Sequence, residues 1–377
     1  MKFFKNLFLI FISTTLSIIM TEILLRYFTS FPKFPSSSYM VQDYNFGFKM
    51  DNNLEGIDKK GFRNTDGKFN NFKIAAIGDS HTFGNGVTEE EAWPKQLQEL
   101  IKLPVYNFGN SGNGIYSYHY LVKKALVQNK KIIVGLYLPN DFAYKDYVCL
   151  IDFNNSFWKK EVIKLNLNPP VKCDSLQNLN TKMDFIKIAI MKSAILSSAY
   201  ELIWKPIKEK KKKNINYVKI HEDFPPLENE LLIGFMKLTD LNNSKILNVF
   251  SDFKKMVKDW KDNSEEGSIG IILIPSAQST YLKALEKLDM TPIQNSNIEL
   301  YTKNELLLEE KLLDFINSQK IPVMSVKNYL VEEFIQNIES NNDEQFFPDN
   351  SHPIGDGHKA YAKAAEQIFF NMKIMSE

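Results

Sequence analysis

Only two cysteines, Cys149 and Cys173, occur in 377 residues. That is too few for a disulfide-built scaffold, and neither sits in the paired Cys/His spacing of a zinc site. One disulfide between them stays open if the chain is exported, and two unpaired thiols is the other reading. Net charge is equally scarce: 46 Lys and Arg stand against 45 Asp and Glu, so no overall field selects nucleic acid or an acidic partner. The chain also lacks an internal repeat, a glycine-rich phosphate loop and a cluster of metal-ligating residues, so nothing calls for a metal ion or an organic cofactor. Apolar residues are not lacking. At 44% they suffice for a buried core in a chain of this length and argue against a disordered one.

The longest apolar run lies at the N-terminus. Lys2 and Lys5 precede an apolar stretch from about Leu7 to Leu25, which Arg26 closes. Spanning a bilayer takes roughly 20 mainly apolar residues. Glu22, near the far end, sits where a side chain reaches the interface. The stretch is longer than a signal peptide's apolar region, and no small-x-small cleavage site follows closely, so residues 1–30 read as an uncleaved anchor with a cytoplasmic tip. Lysines before the run and a single arginine after it place the remainder outside the cytoplasm. A linker and N-terminal extension follow at 31–71, opening with the semi-extended Pro/Ser-rich stretch 31–38.

From Phe72 onward, apolar runs too short for helices alternate with amphipathic stretches. Phe72 to Ile77, Val105 to Phe108 and Lys131 to Leu138 read as strands, with helices at Glu90 to Ile101 and Ile115 to Gln128. The pattern resumes with strands at Ser268 to Ile274 and Ile321 to Val326, and helices near Ser244 to Trp260, Asn304 to Asn317 and Gly355 to Phe370. Such alternation predicts a parallel sheet covered by helices. The economical domain plan is one α/β domain, 72–377, carrying an insertion at about 148–243 that folds over one end of the sheet and is partly helical around Met183 to Trp204. The run Lys208 to Lys213 inside it reads as a solvated loop, the alternative being a contact with anionic lipid or polymer.

Chemistry first shows in Ile74-Ala-Ala-Ile-Gly78-Asp79-Ser80-His-Thr-Phe-Gly84. A serine at the carboxyl end of a parallel strand stands at the rim where open α/β folds bind ligands. By itself Gly-Asp-Ser is also ordinary turn chemistry. A serine hydroxyl needs a base to take its proton, and five histidines are present: His81, His119, His221, His352 and His358. His352 lies in Phe347-Pro-Asp349-Asn-Ser-His352, a loop before the last helix. Asp349 can turn back to hold one ring nitrogen while the other faces the serine. His358 fits the start of that helix better, His81 is expected to point away from Ser80, and His119 and His221 have no supporting carboxylate pattern. Oxyanion donors are available in the glycine-rich loop Asn107-Phe-Gly109-Asn-Ser-Gly112-Asn-Gly114 and in Leu138-Pro-Asn140-Asp141, where Asn140 alone reads equally as a turn former.

Taken in order, these four segments resemble the four blocks of the SGNH (GDSL-like) hydrolase family. The resemblance covers 72 to about 140 and then 268 to the end, leaving the anchor and insertion outside. It implies a three-layer α/β sandwich with a central, mostly parallel sheet of flavodoxin-like type. It also implies Ser80 as nucleophile and first oxyanion amide, Gly112 as second amide, Asn140 as side-chain donor, and Asp349 with His352 as triad partners. The Ser111-Gly112 step selects Gly112 over Gly109 and Gly114. The family often has Gly-Gly-Asn-Asp where this chain has Leu138-Pro-Asn140-Asp141, which leaves that loop's shape open. The expected activity is a membrane-anchored serine esterase acting on acyl esters, O-acetyl or similar, of a cell-surface glycan, a lipid or a small molecule. One alternative is an O-acyltransferase modifying an envelope polysaccharide with a membrane-bound acyl-donor partner. Another is a non-catalytic anchored binding protein.

Overall fold

A computed structural model of the protein describes residues 2–28, 40–52, 54, 56–65, 71–142, 151–169, 193–199, 217–228, 233–234, 237, 239–340 and 345–376. Cys149, Cys173, the stretch 31–38, the basic run 208–213 and most of the helix expected at 183–204 lie outside them.

The chain opens with the helix α1 (Lys2–Phe28), which is followed by the antiparallel hairpin β1 (Met40–Asp43) and β2 (Gly47–Met50). Next come β3 (Ile74–Gly78), α2 (Ser80–Phe83), α3 (Trp93–Ile101), β4 (Val105–Gly109), α4 (Ile115–Leu126) and β5 (Lys131–Tyr137). The middle of the chain holds α5 (Ser156–Leu165), α6 (Ala194–Ala199) and a short hairpin, β6 (Tyr217–Val218) and β7 (Leu227–Glu228). The last part runs α7 (Ser244–Asp262), β8 (Ile269–Ile274), α8 (Ala277–Lys287), α9 (Ser296–Ser318), β9 (Val323–Ser325), α10 (Lys327–Glu339) and α11 (Gly355–Ser376).

Five strands form one sheet in the order β4-β3-β5-β8-β9, every neighbouring pair parallel. Side chains on a strand alternate between faces, and the sequence uses that alternation to fill two cores. Ala75, Ile77, Ile132, Val134, Ile271 and Leu273 enter one core; Ile74, Ala76, Ile133, Ile272 and Ile274 enter the other. Because both faces are covered, the strands read as continuous apolar runs. Chain order along the sheet reverses at β3, whose successors lie on opposite sides of it. In open α/β folds ligands bind beyond the strands' carboxyl ends at such a reversal.

Three parts differ from the sequence expectation. α5, α8 and α10 are helices that the apolar pattern did not separate from their surroundings. The stretch 148–243, expected over one end of the sheet, reaches both faces in its described parts: Trp158 and Leu167 join one core, Ile220, Phe224 and Leu227 the other. Isolated large apolar residues among Lys and Asn set up no period, yet these five are buried. The extension before 72 also packs into the domain. Phe46 and Phe62 lie in the first core, and Met50, Leu54 and Ile57 close over Phe83. Asn64 pairs with the backbone of Asn107 through both ends of its amide, at 2.9 and 3.1 Å, which occupies part of the exposed edge of β4.

α1 contains a span, Phe8–Arg26, of mean hydropathy 2.1 with none of it buried in the protein. By length and composition it can cross a membrane. Glu22 is satisfied locally: it takes an ion pair from Arg26 at 2.9 Å and hydrogen bonds from Ser193 Oγ and the Ile195 amide at 2.9 and 3.1 Å.

Candidate active site

Glycine sets the floor of the site. Gly109, Gly78 and Gly135 stand in one hydrogen-bonded row across β4, β3 and β5. A Cβ at Gly78 would come within 2.0 Å of Thr82 Oγ1, and one at Gly109 within 2.2 Å of the Phe83 nitrogen. The row therefore leaves room for the single turn α2 to lie directly on the strand ends. Asp79 caps that turn, its carboxylate accepting from the His81 amide at 2.9 Å, a cap of the kind that stabilises by about 1 kcal/mol. Ser80 is the first residue of the turn, where an amide has no intrahelical carbonyl to meet.

The opposite wall is the loop before α11, anchored by the buried Phe346 and Phe347 and closed by a bond from the Ile354 amide to the Phe346 carbonyl at 2.9 Å. One oxygen of Asp349 accepts from the amides of Ser351 and His352, at 3.0 and 2.6 Å. Its second oxygen holds His352 Nδ1 at 2.6 Å. The other ring nitrogen, Nε2, lies 2.7 Å from Ser80 Oγ. Ser80 and His352, far apart in sequence, are thus brought within hydrogen-bond reach, with Asp349 behind them.

Electrostatics follow the same line. Partial burial works against an ionised Asp349, but its bonds to the His352 ring and to two backbone amides prevail and hold it below the usual carboxylate range. Burial works against a charged His352, yet the hydrogen bond and charge of Asp349, with the charge of Asp79, raise it above its ordinary value. Asp79, fully enclosed, is pushed up to about 6 by burial, against donation from the His81 amide, the charge of His352 and bonds from Ser80 and Asn140.

The remaining predicted residues sit in the adjoining loops. Gly112 lies in the turn after β4 at φ +78, a left-handed conformation that glycine adopts without strain. That loop is tied to β3 by the Asn110 amide on the Gly78 carbonyl at 3.2 Å. Asn140 follows β5 and gives its amide to Asp79, next to the serine. The sequence missed several supports. His81 does not turn away: its ring stacks on His352 with centroids 4.6 Å apart, packs on Tyr137 and meets Tyr361 Oη at 3.1 Å. Burial, then the charges of His352 and His358, hold it well below its usual range, so it stays neutral beside a protonated His352. Arg63 reaches from the extension to the carbonyls of Phe83, Gly84 and Val87 at 3.3, 2.6 and 2.8 Å and pins the turn that carries Ser80. Tyr137 Oη meets Ser351 Oγ at 3.0 Å. None of these had a local sequence signal, unlike the Asp79 cap, an Asp one residue before a helix start. His358 does stand in the first turn of α11, but its Nδ1 accepts from the Trp93 amide at 3.4 Å and so caps α3.

His119 and Glu161 correct the expectation that His119 lacks a carboxylate: they meet at 2.7 Å. With Asp259 they bring three ligand-type atoms within 4.8 Å of one another. Those atoms are already engaged, since Trp260 Nε1 donates to His119 Nδ1 at 2.9 Å and both Lys123 and Lys164 pair with Asp259. His221 likewise has a carboxylate near it, Asp223 at 3.5 Å.

No protein-family model and no curated protein matches the chain. Among solved structures, it is similar to a candidate lipolytic protein of the G-D-S-L family from Desulfitobacterium hafniense DCB-2. The identity is 15%, over 79% of this chain and 99% of that one, with a TM-score of 0.35. It is also similar to a gut microbial diltiazem-metabolizing enzyme, at 13% identity over 79% of this chain and a TM-score of 0.36; the chain spans 47% of that protein's length. At such scores the chemistry has to stand on the site's own residues.

Proposed function

We propose that this chain is a serine esterase of SGNH type, anchored by α1 with its α/β domain outside the cytoplasm, that hydrolyses small acyl esters of a cell-surface glycan, lipid or small molecule. The observation that carries the reading is the line Asp349–His352–Ser80, with contacts of 2.6 and 2.7 Å. Ser80 Oγ attacks the ester carbonyl while His352 Nε2 takes its proton, and Asp349 stabilises the imidazolium that forms. Negative charge on the carbonyl oxygen falls to the Ser80 and Gly112 amides and the Asn140 side chain. Losing one such donor typically costs roughly 100- to 1,000-fold in turnover. To serve there, Asn140 swings its amide from Asp79 to the oxyanion. His352 then protonates the leaving alcohol and activates the water that releases the acid.

The direct test is hydrolysis of p-nitrophenyl acetate by the purified full chain in detergent, compared with Ser80→Ala. The expected result is turnover in the wild type and background in the variant, both melting at similar temperature. Equal turnover in the two proteins would refute the assignment.

A further inference from the structure

We infer that Asn113 and Gln278 are substrate-reading side chains on either side of Ser80, and that the ester they read is flanked by hydrogen-bonding groups, as in an acylated carbohydrate. The inference rests on the serine-esterase reading above. It starts from where the protein leaves polar atoms unpaired. Buried polar groups in folded proteins are nearly always hydrogen-bonded, and each exception calls for a reason. Among the described residues, several such exceptions lie just beyond the carboxyl ends of the parallel strands, while others, Tyr281, Asn337 and His358 among them, lie in the helices. Both ends of the Asn113 amide, Oδ1 of Asn140, both ends of the Gln278 amide and Oγ of Ser279 are buried without a partner.

Register aligns the strand positions from which these residues follow. Gly109, Gly78, Gly135 and Ile272 form a single row across β4, β3, β5 and β8. A few residues beyond that row, in the same order, come Asn113, Ser80, Asn140 and Gln278. At the usual strand spacing the outer two strands lie about 14 Å apart, so the segments bearing Asn113 and Gln278 leave the sheet on opposite sides of the strand that leads to Ser80. The first turn of α8, which carries Gln278, is fixed by Ser276 Oγ accepting from the Ser279 amide at 3.0 Å. It abuts the catalytic loop, because Tyr281 packs on Phe347 with ring centroids 5.6 Å apart.

The choice of side chain is informative. Asn113 is 3% exposed and Gln278 0%, positions where an apolar residue of the same shape would be cheaper if packing were the only demand. A site for a long fatty chain would be lined by such residues. Primary amides instead offer two donors and an acceptor each, the complement of hydroxyl-bearing rings. Both groups are uncharged, so the recognition is independent of pH.

The test compares kcat/KM on an O-acetylated methyl glycoside with kcat/KM on p-nitrophenyl acetate, in wild type, Gln278→Met and Asn113→Leu, with thermal melting as the check on folding. The ratio is expected to fall about tenfold in each variant, the size of a lost hydrogen bond to substrate, through a higher KM on the glycoside. Melting temperature is expected to hold or rise, since an unpaired buried amide has gone. An unchanged ratio in folded variants overturns the inference, and so does an equal loss on both esters. If Gln278→Met does not fold, Gln278→Asn, which keeps the amide and shortens its reach, is read the same way. A wild type that hydrolyses p-nitrophenyl acetate but shows an unchanged ratio in the variants refutes the substrate-reading role alone. A wild type inactive on both esters refutes the esterase reading and this inference with it.

Discussion

His119 and His352 each hold a carboxylate oxygen, at 2.7 and 2.6 Å, and the two sites diverge at the second ring nitrogen. In His119 that nitrogen accepts from Trp260. The neighbouring Asp259 is bridged by two lysines, so the cluster is closed. Burial keeps His119 below its ordinary value despite the pull of Glu161. In His352 the second nitrogen faces the Ser80 hydroxyl, and Asp349 and Asp79 raise the ring above its ordinary value. What meets the far side therefore sets the two pairs apart: a strut at His119 and, on the esterase reading proposed above, a general base at His352.

Breaking each pair should separate the two roles. His352→Ala is expected to lower kcat by about three orders of magnitude or more, with little change in melting temperature. Converting the orienting carboxylate, Asp349→Asn, should cost roughly two to four orders of magnitude and move the pH midpoint of kcat/KM downward. His119→Ala is expected to do the reverse of His352→Ala: it keeps activity per folded molecule and loses about 3 kcal/mol of stability, read from chemical denaturation.

The pH dependence sharpens the contrast. A general base must be neutral, and His352 is raised above 6.5. So kcat/KM is expected to climb with pH through a midpoint above 6.5, with activity lost below it. Asp79 contributes to that elevation, so Asp79→Asn, which keeps a capping oxygen, should bring the midpoint down. The same substitution bears on stability. Asp79 takes up its proton near pH 6 when folded, against about 3.9 when unfolded. Burying its charge therefore costs stability progressively as pH rises from about 4 to 6, and the variant should lack that decline in melting scans across the range. The smallest effect is expected at Lys164, whose side chain is 49% exposed in its pair with Asp259: Lys164→Ala should cost under about 1 kcal/mol.

The contrast also marks what the sequence could reveal. Apolar runs such as Ile74 to Ile77 and Lys131 to Leu138 announce a doubly covered parallel sheet, because burial on both faces leaves no polar alternation. Gly-Asp-Ser80 and Asp349-x-x-His352 are legible because the cap and its turn, and the carboxylate and the ring it holds, are each local in sequence. Nothing comparable marks His119, whose carboxylate arrives from α5, or Arg63 and Asn64, which reach the site from an extension that reads as linker. Single polar residues that pair across the fold leave no period to read. His81 shows the limit at short range: adjacency to Ser80 suggests divergence, but the tight turn of α2 brings its ring against His352.

The most direct measurement is mass-spectrometric mapping of a fluorophosphonate label on the full chain in wild type, Ser80→Ala, His352→Ala and His119→Ala. The account requires label on Ser80 in the wild type and in His119→Ala, and none at that position in the other two. Label on Ser80 that persists undiminished in His352→Ala, or no label on Ser80 in folded wild type, would contradict it.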